Sequence, residues 1–371
     1  MRILFTGGGT GGHVFPMIAI MESFSGGHEF RYIGPDSFAK ENLNGIKAKF
    51  ISAGKFKRYF DPLLSIELTK MIIGIIQSFW YLFLWVPDVI FSKGGYGSFP
   101  VVFAARIYRI PIIIHDSDAI PGLANRKTAK FAKKIILSFE SSKKYFKAKQ
   151  QNKIIVIGNP VRKELLAGDK DQSRGLFKIS SSKPVVLILG GSQGAQKINE
   201  TVINILPRLL EIAEVIHMTG EKNFKDVEKE TQKSPEYHLY PFLNANELKH
   251  AFALADLVVN RASAGSIFEI AALSKPSILI PLPNSAQDHQ RENAYEFARP
   301  AEALAKGGPR AIIMDQENLT PNMLLEQISN LLSNPQKLSE MSQKAKQFYN
   351  PQTPELIRDE ILKFTQTHAT Y

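Results

Sequence analysis

Short, solidly apolar runs alternate with longer stretches whose apolar residues recur every three or four positions. In the first half the apolar runs occupy residues 2–5, 28–33, 47–52, 87–92, 111–115, 134–137 and 153–157. In the second half they occupy 185–189, 215–218, 238–240, 257–260 and 277–281. Runs of this length without polar alternation predict strands covered on both faces, and the stretches between them predict helices. Strand and helix in strict alternation make an α/β chain with parallel sheets. The pattern pauses at residues 167–184, a polar stretch rich in Ser, Lys and Asp, and then restarts. A boundary between Gly158 and Lys183 follows, giving domains of 1–160 and 161–349. The tail carries helical periodicity over 353–365 and no strand, so a helix within about 350–371 is free to pack back on the first domain.

One helical stretch departs from the rest. In residues 63–85 the polar or small positions Glu67, Lys70, Gly74, Gln77 and Tyr81 are three or four apart and line one stripe, while the remaining circumference is apolar and aromatic. The uncharged run 71–87 falls just short of the ~18 residues of a spanning helix. The strand expected at 87–92 follows directly, which favours a helix lying on the sheet. Two readings remain. The helix is buried between sheet and loops, or it presents Trp80, Phe83 or Trp85 to a bilayer surface, with Lys55, Lys57 and Arg58 meeting acidic headgroups.

Where the strands end, glycines gather. Strand 2–5 runs into Gly7-Gly8-Gly9-Thr10-Gly11-Gly12-His13 and then a helix, a strand–turn–helix unit that offers backbone N–H groups to a phosphate. The spacing Gly7-x-Gly9-x-x-Gly12 also satisfies the dinucleotide fingerprint, which wants an acid about 20 residues on, where Asp36 is a poor match. A turn serving only the fold is a third reading of the same glycines. His13, an imidazole next to the last glycine, argues for chemistry there. Strand 87–92 opens into Ser92-Lys93-Gly94-Gly95-Tyr96-Gly97, strand 111–115 into Asp116-Ser117-Asp118, and strand 185–189 into Gly190-Gly191-Ser192-Gln193-Gly194-Ala195. Asp116 and Asp118 resemble a metal-binding pair, yet two acids supply too few oxygens for a hard cation.

Composition narrows the partners. A chain of 371 residues suits two domains, and 44% hydrophobic with 22% charged residues excludes both disorder and a multi-span membrane protein. The formal net charge of +11 calls for an anionic partner, nucleic acid or an acidic lipid surface. The lysines are scattered and form no recognisable nucleic-acid module, which leaves the acidic membrane surface. There is no cysteine, which fits a reducing compartment, and a strand pattern from residue 2 leaves no room for a signal peptide. A cytoplasmic protein is expected.

Taken together and in order, GGGTGGH, SKGGY, GNPVR, GGSQGA and DHQRENA resemble the MurG family of peptidoglycan N-acetylglucosaminyltransferases over nearly the whole chain. The resemblance implies the GT-B architecture, two Rossmann-like doubly wound parallel-sheet domains facing a cleft. It implies inverting transfer of N-acetylglucosamine from UDP-GlcNAc to the C4 hydroxyl of the muramoyl sugar of lipid I, giving lipid II. No cofactor and no metal are implied, because helix termini and loop amides offset the diphosphate charge. The partners would be UDP-GlcNAc, undecaprenyl-diphosphate lipid I and the cytoplasmic face of the plasma membrane, bound peripherally.

By the same resemblance Thr10, Gly11 and Gly12 lie against the donor and His13 is the base. Arg162 and Ser192 hold the diphosphate, and the backbone of Leu243 meets uracil. Glu269, within Ala264-Gly265-Ser266-Ile267-Phe268-Glu269, accepts from the ribose hydroxyls, and His289 and Gln290 meet the sugar and phosphates. Gly94, Gly95, Tyr96, His115 and Asp116 form the acceptor side, with His115 and Asp116 the next candidates for the base. Where many members carry His-Glu-Gln-Asn, this chain has His115-Asp116-Ser117-Asp118, so an amide that donates to the sugar has become a carboxylate that only accepts. Asp118 and Asn125 are both candidates for that contact. Two competing readings stay open at this point, an NAD(P)-dependent oxidoreductase and a non-catalytic membrane-peripheral binding module. The oligomeric state is not legible.

Overall fold

The computed structural model describes all residues but 36–37, 44, 55–63, 192–194, 284, 299–308 and 365–371. It divides into two units, one made of residues 1–162 with 350–371 and the other of residues 163–349.

The first unit is built on a parallel sheet of β1 (Arg2–Thr6), β2 (Glu29–Gly34), β3 (Lys47–Phe50), β4 (Val89–Ser92), β5 (Ile112–Asp116), β6 (Lys134–Leu137) and β7 (Ile154–Val156). The order across the sheet is β3-β2-β1-β4-β5-β6-β7, so the winding reverses between β1 and β4. Its helices are α1 (Gly11–Met21), α2 (Phe38–Asn42), α3 (Leu64–Leu84), α4 (Ser98–Ile107) and α5 (Leu123–Thr128). Ile3 and Phe5 point to one face, where Val14, Met17 and Ile20 of α1 cover them. Leu4 points to the other, with Leu82 of α3 and Val101, Val102 and Ala105 of α4. The central strands β1, β4, β5 and β6 thus feed two cores, which is why their sequences show no alternation.

Helix α3 turns Gly74, Gln77 and Ser78 inward with Met71 and Leu82, leaves Lys70 of the polar stripe exposed, and turns most of its other apolar residues outward. Met71, Gly74, Ser78 and Leu82 are buried, whereas Ile72, Ile76, Trp80, Phe83 and Leu84 are exposed. A helix buried on all sides is therefore ruled out. Gln77 Oε1 accepts from the Ser52 amide at 2.8 Å, and the stretch 51–54 runs along the inner face. A methyl group on Gly74 would overlap the Ser52 carbonyl oxygen, and one on Gly54 would overlap the Glu67 carbonyl. By length and composition Ser65–Leu84 could cross a membrane, yet one side of it is committed to this packing. Trp85 corrects the sequence reading. It is 7% exposed, its Nε1 donates to Glu29 at 3.2 Å, and Arg31 lies 4.3 Å above its ring, so it anchors the end of the helix to β2 and faces no bilayer. Lys55, Lys57 and Arg58 lie outside the described residues.

Gly74→Ala is expected to lower stability by roughly 1–3 kcal/mol, the usual cost of overfilling a close backbone contact. Chemical denaturation reads this directly, and an unchanged midpoint and slope would contradict the close approach.

The second unit has a parallel sheet of β8 (Val185–Leu189), β9 (Glu214–Met218), β10 (Tyr237–Tyr240), β11 (Leu257–Asn260), β12 (Ser277–Leu279) and β13 (Ala311–Ile313). The order is β10-β9-β8-β11-β12-β13, with the reversal between β8 and β11. The helices are α6 (Lys170–Leu176), α7 (Gln196–Ile212), α8 (Glu221–Glu230), α9 (Ala245–Leu254), α10 (Ala264–Ala272), α11 (His289–Ala298), α12 (Pro321–Leu332) and α13 (Pro335–Phe348). On one face Val186 and Ile188 meet Val202 and Ile205 of α7 and Leu324 and Ile328 of α12.

The last helix, α14 (Thr353–Leu362), returns to the first unit. Ile357 and Ile361 join the core beneath α1. Arg358 donates to the Ser23 carbonyl at 2.7 Å, and Thr353 Oγ1 to that of Ile157 at 3.2 Å.

Candidate active site

In the first unit the loops after β1, β4 and β5 meet at the carboxyl ends of three adjacent strands, where a doubly wound sheet offers its ligand crevice. Thr10 is extended and caps α1, its carbonyl accepting from the amides of His13 and Val14 at 2.9 and 3.1 Å. Thr10 Oγ1 lies 2.9 Å from His13 Nδ1, which fixes the ring and leaves Nε2 facing the second glycine loop. The glycines are explained by that crowding. A methyl on Gly8 would lie 3.0 Å from the His13 ring, and one on Gly95 would lie 2.9 Å from Gly8 Cα and 3.3 Å from His13 Nε2. Gly94 and Gly95 also hold φ of +85° and +80°, a region that side chains disfavour. A side chain on Gly94 would run into Asn125, which ties the second loop to the third.

Below the loops lies a buried polar layer. Lys93 Nζ donates to His115 Nδ1, Ser117 Oγ and, at 2.8 Å, Asn159 Oδ1. His115 Nε2 lies 3.0 Å from the Gly158 carbonyl, so Nε2 carries the hydrogen and Nδ1 the lone pair that Lys93 meets. Asp116 Oδ1 accepts from the Asp118 amide at 3.1 Å, and Oδ2 from the Gly122 amide at 3.0 Å and Asn125 Nδ2 at 2.8 Å. His115 and Asp116 are both buried. They shape the loop from beneath, and their ring nitrogens and carboxylate oxygens are already engaged by the protein. Asp118 and Tyr96, by contrast, are half-buried. Asn125 Oδ1 is buried without a hydrogen-bond partner among the described residues.

The electrostatics follow from burial. Desolvation lowers His13 to about 4, helped by the Lys93 charge and opposed by Asp118. Desolvation likewise brings Lys93 down to about 7, against the pull of Asp116 and Asp118. His115 is driven well below its usual value by desolvation and then by Lys93. Asp116 is pushed up to about 6 by desolvation, then by Asp118. At neutral pH His13 is therefore an uncharged imidazole.

Arg162 closes this unit. It is 8% exposed, its guanidinium lies 3.7 Å from the centre of the Phe15 ring, and its Nε is buried without a hydrogen-bond partner among the described residues. Buried cations are normally paired, so a guanidinium held by an aromatic face, with its Nε uncommitted, is suited to an oxyanion.

In the second unit the expected residues sit on the connections after β10, β11 and β12. Leu243 is buried, and its amide has the Met218 sulfur at 3.4 Å, a weak acceptor that a carbonyl would displace. Ala264, Gly265 and Ser266 form the first turn of α10, capped by Ser263, whose Oγ accepts from the Ser266 amide at 3.2 Å. The side chains of Ile267 and Phe268 lie in the core, Phe268 packing 5.1 Å from Phe348, so only their backbone is available to a ligand. Glu269 is half-buried one turn on. His289 and Gln290 open α11, and Gln290 Oε1 accepts from the Leu282 amide at 3.0 Å. Ser192 lies outside the described residues.

Sequence reasoning assigned no role to Lys93, Asn159 or Phe15, although all three stand in or beside quoted motifs. A lysine closing an otherwise apolar strand was the available signal for the first.

The profile of the glycosyltransferase family 28 N-terminal domain matches residues 3–137, and that of its C-terminal domain matches residues 185–354. The chain belongs to glycosyltransferase family 28. Among curated family 28 relatives, the UDP-N-acetylglucosamine–N-acetylmuramyl-(pentapeptide) pyrophosphoryl-undecaprenol N-acetylglucosamine transferase of Clostridium kluyveri is 38% identical over 335 residues, 89% of this chain and 91% of that protein. The protein of the same name from Halothermothrix orenii is 35% identical over 364 residues, 95% of each chain. Among solved structures, MurG of Acinetobacter baumannii superposes with a TM-score of 0.72 at 24% identity, covering 98% of this chain and 99% of that one. The UDP-GlcNAc 2-epimerase of Neisseria meningitidis, bound to UDP-GlcNAc, gives 0.67 at 16% identity over 98% and 100%. At those identities the structures speak for the shared fold alone.

Proposed function

We propose that this chain transfers N-acetylglucosamine from UDP-GlcNAc to the muramoyl C4 hydroxyl of undecaprenyl-diphosphate-linked lipid I, with inversion, yielding lipid II and UDP. The observation that carries the reading is His13, its ring fixed by Thr10 between two glycine loops, in a chain 38% identical to a transferase of that name over 89% of its length. Inversion takes one displacement at the anomeric carbon. The acceptor hydroxyl must lose its proton as the diphosphate leaves, and an imidazole that stays unprotonated at neutral pH can take it. The first-turn amides of Gly11 and Gly12 and the fork of Arg162 supply donors for diphosphate oxygens. Gly94, Gly95 and Tyr96 border the acceptor, Asp118 and Asn125 the sugar. His289 and Gln290 are read as sugar and phosphate contacts, and Ser192 as a phosphate contact. Transfer of labelled sugar from UDP-GlcNAc to a lipid I analogue tests the reading. Thermal stabilisation by NAD but not by UDP would return the oxidoreductase alternative.

Uridine is assigned to the second unit, with uracil on the backbone of Leu243 and the ribose hydroxyls on Glu269. Hydrogen bonds to a charged acceptor contribute about 1.5–3 kcal/mol, so Glu269→Ala should weaken UDP binding by roughly ten- to a hundredfold while the fold persists. Unchanged UDP affinity in calorimetry would reject the assignment.

The protein is read as peripheral on the cytoplasmic face of the plasma membrane. Lipid I is itself membrane-linked, and the outward side of α3 supplies apolar surface for contact with acidic lipid, through Trp80 and Phe83 but without Trp85.

A further inference from the structure

The connections after β11 and β12 carry most of the residues assigned to the donor, and both are tied to one short stretch outside every quoted motif, Asp315-Gln316-Glu317 after β13. Neighbouring strands lie about 4.8 Å apart, so a side chain that follows β11 must cross β12 to reach the end of β13, and only a long one can. Arg261 does so. It is 8% exposed, its Nη1 donates to Gln316 Oε1 at 2.6 Å, and the same nitrogen lies 3.5 Å from the Ile280 carbonyl just after β12. Desolvation lowers Arg261 to about 10, so it remains a cation at neutral pH. Three residues on, Ala264 opens α10.

The second tie is made from α11. Arg291 Nε donates to Asp315 Oδ1 at 3.2 Å, its Nη2 lies 3.7 Å from Glu317 Oε2, and its Nη1 lies 3.3 Å from Asp288 Oδ2. The turn that Asp288 belongs to needs such a hold. Gln287 and Asp288 have φ of +63° and +59°, and two consecutive side-chain-bearing residues stay in the left-handed region only where their neighbours fix them. His289 and Gln290 follow at once. A third bond, from Asn293 Nδ2 of α11 to the Ala262 carbonyl at 3.4 Å, joins the two connections directly. The Arg291 side chain is 31% exposed, and ion pairs that face water contribute little to stability. What three carboxylates around one guanidinium supply there is geometry.

We propose that Asp315, Gln316 and Glu317 are positioning residues for the donor: Gln316 acts through Arg261 on the first turn of α10, and Asp315 with Glu317 acts through Arg291 on the start of α11. The proposal rests on reading Glu269, His289 and Gln290 as donor contacts. A nucleotide sugar held at two helix starts needs their spacing kept, and here both starts are fixed to the same three residues.

The test uses Gln316→Leu, Gln316→Glu, Asp315→Ala, Arg291→Gln and the Asp315→Ala/Arg291→Gln double variant of the full chain. The readouts are UDP affinity by calorimetry, KM for UDP-GlcNAc against KM for a lipid I analogue, and amide exchange of the free protein. Gln316→Leu and Asp315→Ala should each raise the UDP Kd and the donor KM by about tenfold, the order of loss expected when binding groups are slightly misplaced, and leave the acceptor KM unmoved. Exchange should quicken in residues 264–269 for Gln316→Leu and in residues 287–293 for Asp315→Ala. Gln316→Glu keeps an acceptor for Arg261 and should hold the parent affinity. Asp315→Ala should add nothing to Arg291→Gln, because it acts through that guanidinium. Folded variants with the parent's UDP affinity overturn the proposal, as does an equal rise in donor and acceptor KM or a further loss in the double variant. If Gln316→Leu fails to fold, the half-exposed Asp315 and Arg291 carry the same test. Glu269→Ala separates the proposal from the reading beneath it. Unchanged UDP affinity there, with a loss in Gln316→Leu, rejects the ribose assignment and sustains the positioning role, and the reverse pair of results rejects the positioning role alone.

Discussion

His13→Ala should lower turnover by ~10²–10⁴ at saturating substrates while leaving UDP affinity nearly intact, the loss expected when a general base is removed. The ring is suited to that role by position and by charge. Thr10 Oγ1 fixes it at Nδ1, and the lowering to about 4 leaves it unprotonated throughout the neutral range. The sign for the pH profile follows. A base must be deprotonated to work, so activity dependent on His13 is lost as pH falls through its folded-state value, near 4 and not near 6.5. A histidine that only orients the acceptor predicts a raised acceptor KM, a small fall in kcat and no such limb. Turnover within a few-fold of the parent at saturating acceptor would move the role elsewhere. His115 and Asp116 are poor successors, because both are buried and bonded within the protein.

The strands were legible because parallel sheets covered on both faces leave an unmistakable apolar run. Val185–Leu189, Leu257–Asn260 and Lys134–Leu137 begin and end where the pattern does. The short edge strand Ala311–Ile313 was not, since three residues carry too little pattern. At the site, glycine spacing revealed the loops, and His13 stood out as the titratable residue beside them. What the pattern could not supply was direction. Trp80, Phe83 and Trp85 lie within one aromatic cluster of the sequence, yet the rotation of the chain at the end of α3 turns Trp85 under Arg31 and leaves the other two outside. The same holds for Ile267 and Phe268, whose motif context marks a ligand contact while their side chains fill the core. Lys93 was hidden differently. Its meaning comes from His115, Ser117 and Asn159, which only the parallel order of β4, β5, β6 and β7 brings within its reach.

Replacing Ile76, Trp80 and Phe83 together by serine should cut binding to acidic vesicles by on the order of a hundredfold without lowering stability in buffer. These side chains are 63%, 59% and 64% exposed, so they contribute little to the folded core, and Trp80 and Phe83 stack on each other with ring centres 6.3 Å apart. Burying such surface in lipid is worth at least about 1 kcal/mol apiece, and three together account for about two decades of affinity. In the proposed contact charge would add to this at the end of α4, where Arg106 and Arg109 flank the exposed Ile107 and Tyr108, and Tyr108 donates to the Phe79 carbonyl of α3 at 3.3 Å. That contribution decays over a Debye length, so salt should weaken binding in the parent and leave a residual fraction held by the apolar side chains. The folded triple variant should lose that residual fraction and keep the salt-sensitive part. Equal vesicle binding by parent and variant would sink the assignment of α3 as the membrane contact. Equal binding of the parent to neutral and acidic vesicles would remove the arginines from it. The outward apolar face costs free energy in water, and with Gly74 and Gln77 committing the other face to the chain at Ser52, the proposed contact with lipid would remove that cost.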